Sequence, residues 1–403
     1  MVSGNGSLPG APVNLSIPQA RRLALHALGL VRRDPFGRGW RGAWRAIEHL
    51  GFVQLDTISV VERAHHHQLW SRVSNYRPAD LDRLVTRERL VFEYWSHAAA
   101  YLPMSSYRFC LPRMRRHLEK LHWSEHSPEL EATMQRVRDQ IRAEGPMQAR
   151  DFAGGPQKGD FWGYSKIERR VLHELFMRGE IMVTGRAGFS KIFDLTERVL
   201  PSGLDLSVPT AEEALLHRIR ETIRAQGIAS LDQVGHLRSI DRRLALQILA
   251  ARIEAGEICE VAVRGLDRNR LFAFAESVRQ IPRSPTAGSM TAKILSPFDA
   301  AVIHRKRVRE LFSFDFQIEC YLPAPKRKFG YFSLPVLADG EFVGRMDAKA
   351  DRPRRHLAIR NFVVEPGIRL TDAQEVLRGA LPDFAAFNGC DTWKVERAAS
   401  RKN

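Results

Sequence analysis

Along most of this chain apolar residues recur with helical spacing, and towards the end they begin to alternate as they do in strands. The middle of the chain repeats itself: Arg138-Asp139-Gln140-Ile141-Arg142-Ala143-Glu144-Gly145 is nearly reproduced by Arg220-Glu221-Thr222-Ile223-Arg224-Ala225-Gln226-Gly227. Each octet reads as the last turns of a helix, stopped by a glycine that takes up a left-handed backbone cheaply. A further helical stretch follows each, and then Gly179-Glu180-Ile181 in one copy and Gly256-Glu257-Ile258 in the other. These triplets predict two hairpins. One pairs Ile181, Met182 and Val183 with Lys191, Ile192 and Phe193; the other pairs residues 258–263 with 271–274. Helices followed by a two-stranded wing are the winged-helix order, predicted here for residues 129–205 and 206–280.

In the first copy the helix from about Tyr164 to Arg178 puts Ile167, Val171, Leu175 and Phe176 on one face and Lys166, Arg169, Arg170 and His173 on the other. A helix apolar behind and basic in front suits phosphate contact. Upstream, Ser16-Ile17-Pro18-Gln19 predicts a capped helix start, and a second helix, about Trp40 to Leu50, ends before Gly51. Residues 16–128 therefore read as a related first module, preceded by a flexible stretch, 1–15, that lacks the basic start and apolar run of a secretory signal. A Pro- and Ser-rich joint, Ile281 to Ser289, opens a strand-rich region over 281–403. Phe314 to Tyr321, Phe332 to Leu337 and Phe342 to Ala348 alternate, with Asp339-Gly340 as a hairpin turn. The predicted fold is α+β: tandem winged-helix (helix-turn-helix) modules, then a small C-terminal antiparallel β-barrel-like region.

Charge narrows the partner. Lys and Arg exceed Asp and Glu by 62 to 46, a formal net charge of +16 that is spread along the chain. Such a surface attracts a polyanion, and with no apolar run near the roughly 18 residues of a spanning helix, nucleic acid is a better fit than a membrane. Cys110, Cys259, Cys320 and Cys390 lie far apart, which predicts neither a zinc knuckle nor a disulfide framework and fits a reducing cytoplasm. The sequence has no phosphate loop, no GxGxxG after a strand, no HExxH helix and no GxSxG elbow, which removes ATPase, dehydrogenase, zinc protease and serine hydrolase readings. The run His65-His66-His67 has no spaced carboxylate or Cys to complete a metal site, so packing or phosphate contact is expected of it and neither metal nor cofactor is.

Candidate chemistry remains in Gly51-Phe52-Val53-Gln54-Leu55-Asp56-Thr57-Ile58. On a strand Gln54 and Asp56 would share a face, where an amide could position a water and a carboxylate could take its proton. By itself this spacing is common in edge strands. The context is more specific: Val53-Gln54-Leu55-Asp56-Thr57-Ile58, Arg63-Ala64-His65-His66, Leu69-Trp70-Ser71-Arg72, Phe92-Glu93-Tyr94-Trp95-Ser96-His97, Leu295-Ser296-Pro297-Phe298-Asp299 and Val343-Gly344-Arg345-Met346-Asp347 together resemble the YcaQ-like winged-helix DNA glycosylases, relatives of AlkZ. That resemblance implies that Gln54 and Asp56 are the catalytic pair, in the Gln-Leu-Asp form of the broader-specificity branch.

It further implies a monofunctional glycosylase that releases cationic N7- or N3-alkylated purines from double-stranded DNA and unhooks interstrand crosslinks. A monomer is expected, since nothing in the sequence demands a dimer, working in the cytoplasm at the nucleoid. Glu93, Tyr94, Trp95 and His97 are secondary candidates, with Glu93, Trp95 and His97 expected on one strand face. DNA contact is expected from His65, His66, Arg72, Lys166, Arg169, Arg170, His173, Arg305, Lys306, Arg307, Lys326, Arg327 and Lys328. A non-enzymatic winged-helix regulator would show the same repeats and charge, but would not turn over a lesion.

Overall fold

The computed structural model describes residues 8–32, 34–124, 128–152, 166–266, 270–281 and 292–401. The predicted joint Ile281 to Ser289 lies almost wholly outside them, as do Tyr164 and the side chain of Lys166. The fold is mixed α+β and divides into two compact units, one built from residues 1–77 and 215–403, the other from 78–214.

The first unit begins with an element the sequence reading missed. Val13–Leu15, placed in a flexible N-terminal stretch, is a strand that pairs in parallel with Val261, Ala262 and Val263. The helix Ile17–Ala27 follows, with the predicted cap in place: Gln19 N–H donates to Ser16 Oγ at 3.4 Å, and Ser16 N–H donates to Gln19 Oε1 at 2.8 Å. Gly39–Leu50 is helical and ends at Gly51, whose φ of 76° is one that a side chain would resist. After the other unit, helices Ala211–Gln226 and Arg242–Glu254 lead to the hairpin Ile258–Val263/Leu271–Phe274, in which Ile258 pairs with Phe274 as expected. Ile219, Ile223, Ile248, Leu249, Ile258 and Phe272 form its core.

The C-terminal strands form one sheet of six. Lys293–Ile294, Ser333–Ala338, Glu341–Asp351 and His356–Val364 are antiparallel neighbours in that order, and the Asp339-Gly340 turn joins the second to the third. Thr392–Val395 and Ala398–Ser400 then both pair in parallel with His356–Val364, so the sheet is neither wholly antiparallel nor, among the described residues, closed into a barrel. One face is covered by the helix Leu370–Phe387, through Leu377, Leu381 and Phe384. Phe314 to Tyr321, expected to be a strand, is an irregular stretch ending in a 3₁₀ turn, Glu319–Tyr321. Its alternation has another cause: Phe314 stacks on Phe342 and Phe316, with ring centres 4.4 and 5.8 Å apart, and also faces the Arg345 guanidinium.

The second unit holds the hairpin Val91–Trp95/Ala99–Pro103, the helices Leu111–Ser124, Pro128–Glu144 and Lys166–Met177, and the hairpin Ile181–Ala187/Ser190–Leu195. The two strands pair as expected, but Val183 and not Ile181 faces Phe193, so the register is two residues from the one that the expected segments imply. Gly145 and Gly179 end the two helices preceding them with φ near 89° and 74°. Met134, Val137, Ile141, Val171, Leu175 and Phe176 are buried.

Candidate active site

Val53–Gln54 is a strand of two residues, and Asp56 lies just beyond it. The pair is therefore not set by strand alternation, as the sequence suggested. Asp56 is held instead by its own backbone: Ile58 N–H donates to Asp56 Oδ1 at 2.7 Å, a side-chain turn that fixes the carboxylate. Oδ2 has no hydrogen-bond donor among the described residues. Burial raises the Asp56 pKa, against the opposing pull of the Ile58 amide. The result is a half-buried carboxylate with one oxygen restrained and the other open.

The following residues are pinned to the C-terminal sheet and its covering helix. Ala350 N–H donates to Val60 O at 2.9 Å, Arg352 Nη1 donates to Ser59 O at 3.0 Å, and Glu62 N–H donates to Asn388 Oδ1 at 2.6 Å. Val61 and Ala64 enter the sheet's core beside Leu334 and Phe362. A chain segment with so little regular structure of its own thus gains a fixed course from distant residues.

The sequence reading missed a neighbour of Asp56. The turn Glu319–Tyr321 lies within reach of its charge: burial first, and then the Asp56 carboxylate, push both the Cys320 thiol and the Tyr321 phenol up. Tyr321 is 67% exposed, an aromatic face open beside the candidate base. Glu319 is buried and accepts the backbone N–H groups of Lys328, Phe329 and Gly330 at 3.0, 2.7 and 3.1 Å, closing the loop that carries Lys326, Arg327 and Lys328. Lys326 and Lys328 are exposed, whereas Arg327 packs over the Tyr331 ring at 4.8 Å. An exposed tyrosine could have been noticed in sequence only if Phe314 to Tyr321 had not looked like a strand.

Several expected DNA contacts turn inward. His65 and His66 are buried, and burial pushes His66 down to about 4, so it is neutral near pH 7; its Nδ1 lies 2.7 Å from Tyr76 Oη. His67, similarly lowered to about 4 by burial, bonds Ile294 O at 2.9 Å. The run packs the helix Ala64–Trp70 into the core, and among the described residues no group of three His, Cys, Asp or Glu could hold a metal ion. Arg72 is fully buried and bidentate with Asp299, both contacts at 2.7 Å, while its Nε donates to Leu28 O at 2.7 Å. Arg307 is also buried. Consecutive helical residues point about 100° apart, so the third residue of Arg305-Lys306-Arg307 faces the interior while the first two stay exposed.

In the second unit Arg169, Arg170 and His173 are exposed on the face opposite Val171 and Leu175, as expected. The secondary candidates separate. Glu93 is buried, paired through Oε2 with Arg186 Nη2 and through Oε1 with Lys191 Nζ, each at 2.7 Å. Tyr94 is buried and donates to Met177 O at 2.6 Å. Trp95 is 39% exposed, and His97 lies beyond the strand end, so Glu93, Trp95 and His97 do not share an environment. Glu93 and Tyr94 fasten one hairpin to the other hairpin and to the end of a helix.

The description "DNA glycosylase AlkZ-like" belongs to a family model that matches residues 47–387, a span running from Ile47 through Gln54 and Asp56 to Phe387. Among solved structures, the Streptomyces sahachiroi DNA glycosylase AlkZ superposes with a TM-score of 0.62 at 16% identity, covering 96% of this chain and 100% of that one.

Proposed function

Because the chain belongs to the AlkZ-like DNA glycosylase family, and so is an enzyme whose substrate is DNA, we propose that Asp56 is its catalytic base, that Gln54 positions the attacking water, and that the leaving group is a purine made cationic by alkylation at N7 or N3. The observation that carries this reading is the Asp56 carboxylate, tied down at Oδ1 and open at Oδ2. A glycosidase ordinarily needs an acid to protonate its leaving group and a base to activate water. A cationic purine needs no acid. One carboxylate then suffices, first stabilising the positive charge that develops on the sugar and then taking a proton from the water that attacks it. No lysine adduct is required, so the products are a free base and an abasic site in an unbroken strand.

Basic side chains that stay exposed support the contact with DNA: Arg169, Arg170 and His173 on one helix, Arg305 and Lys306 on another, and Lys326 and Lys328 on the loop beside Tyr321. The two helix-and-hairpin repeats are read as winged-helix modules and the C-terminal sheet as a platform for the catalytic segment. An open site of this kind would admit an N7-linked interstrand crosslink, whose base cannot rotate into a closed pocket. A purely regulatory role would not account for the glycosylase family match.

The test is mass spectrometry of free bases after incubation with DNA containing N7-methylguanine or uracil. Release of 7-methylguanine with essentially no uracil is expected. Efficient uracil excision would rule out a mechanism that depends on leaving-group charge. Acidity offers a second prediction. A protonated Asp56 can neither take a proton nor stabilise a cation, so kcat/KM should fall as pH drops through its pKa. Because burial raises that pKa, the decline should start at a higher pH than an exposed aspartate would give. The profile is measured as enzyme-dependent release above spontaneous depurination, and a flat acid limb would remove Asp56 as the base.

A further inference from the structure

A cavity of about 320 Å³ opens in the unit formed by residues 1–77 and 215–403. One wall is apolar, from Ile228, Val263, Leu271 and Leu311. Other lining residues carry donors that the fold leaves unanswered. Arg307 is 8% exposed; its Nη2 donates to Gln226 O at 2.8 Å, but Nη1 has no acceptor, and no carboxylate among the described residues comes within ion-pair distance of it. Gln233 is equally buried. Its Oε1 accepts Ser230 N–H at 2.9 Å, which fixes the amide's orientation and leaves Nε2 as a donor without an acceptor. Both residues line the cavity, as do Arg305 and Lys306 at the start of the helix Arg305–Phe312, where the first amides have no intrahelical acceptor. The lining carboxylates are Asp232 and Glu310; Asp232 is answered by Arg242 and by Lys306 at 3.8 Å.

A buried guanidinium without a counter-ion is costly, and so is each buried N–H without an acceptor. Burial lowers the Arg307 pKa only to about 10, which leaves it cationic near neutral pH. Two unpaired donors on lining residues, a fixed positive charge and a helix N-terminus describe a seat for an oxyanion. The apolar wall adds room for a body attached to it, and the volume is at the small end of the roughly 300–1,000 Å³ of ligand sites.

We propose that this cavity binds a phosphate group carried on an apolar or aromatic body about the size of a nucleotide, with Arg307 Nη1 and Gln233 Nε2 donating to its oxygens. The same chemistry could arrive as a free mononucleotide or as the terminal phosphate of a DNA strand. Asp56 does not line this cavity, and the test of the site does not depend on base release.

Titration calorimetry on the full chain would compare deoxyadenosine monophosphate, deoxyadenosine and inorganic phosphate, and then one undamaged duplex with and without 5′-phosphates. The phosphorylated form of at least one pair should bind tighter. Gln233→Glu keeps the acceptor for Ser230 N–H but replaces the free donor with a carboxylate oxygen; it should weaken that phosphate-dependent binding by about tenfold or more, at an unchanged melting temperature without ligand. Arg307→Lys, which keeps the charge but loses the planar fork, should also weaken it. A preference confined to the nucleotide identifies a free metabolite; one confined to the duplex identifies a strand end. Equal binding with and without phosphate in both pairs, or a preference untouched by both variants, would overturn the proposal.

Discussion

Asp56→Asn should cut single-turnover base release from alkylated duplex by about 100- to 10,000-fold, the range general-base loss produces, while duplex affinity stays nearly unchanged. The amide keeps the shape of the side chain and can still accept from Ile58 N–H through its oxygen, so the local turn survives. It cannot take a proton from water or stabilise a cationic sugar. Gln54→Ala should cost less, since the carboxylate alone can still hold the water in part. Release assays under enzyme excess, with affinity measured separately by fluorescence anisotropy, separate the two effects. Parallel losses of binding and release in Asp56→Asn would show that the residue shapes the protein and does not act on the bond.

Asp299→Asn should cost about 3–5 kcal/mol of stability, because it leaves the fully buried Arg72 guanidinium without its counter-charge. Both side chains are fully buried, and Asp299 Oδ1 also accepts Ala301 N–H at 2.9 Å. The cost belongs to the unpaired charge more than to the pair. Arg72→Met combined with Asp299→Leu should therefore recover much of the loss, since the desolvation of two ions is removed together. Urea unfolding of the single and double variants gives the comparison. A loss in Asp299→Asn below about 1 kcal/mol, the ordinary scale of an exposed pair, would mean that water reaches the site.

What the sequence revealed and what it hid divide along physical lines. The repeated helices, their glycine stops and both central hairpins were legible, because each is fixed by residues close together in sequence: Gly145 and Gly227 end helices as read, and Ile258 meets Phe274. Gln54 and Asp56 were legible as a candidate pair, but not their geometry. Asp56 is held by an amide two residues on and by a segment anchored to Ala350 and Asn388, and no local pattern announces such pairings. Charged residues misled for the same reason. Arg72, Arg307 and Glu93 look like surface chemistry until Asp299, Gln226, Arg186 and Lys191 are brought to them. The parallel strands Thr392–Val395 and Ala398–Ser400 are short, and their partner strand lies across a long helix, so alternation could not reveal them.

The order in which this polypeptide leaves a ribosome bears on the candidate base. Its unit is assembled from two stretches of chain separated by residues 78–214, and the tether from Glu62 reaches Asn388, 326 positions later. At about 5–20 residues per second, a nascent chain waits on the order of 15 to 65 seconds between making Asp56 and making the residues that hold its segment in place. Residues 78–214, a compact unit of their own, are synthesised in full much sooner. Synthesis that stalls before Asn388 would therefore release a molecule in which the segment of the candidate base lacks this anchor.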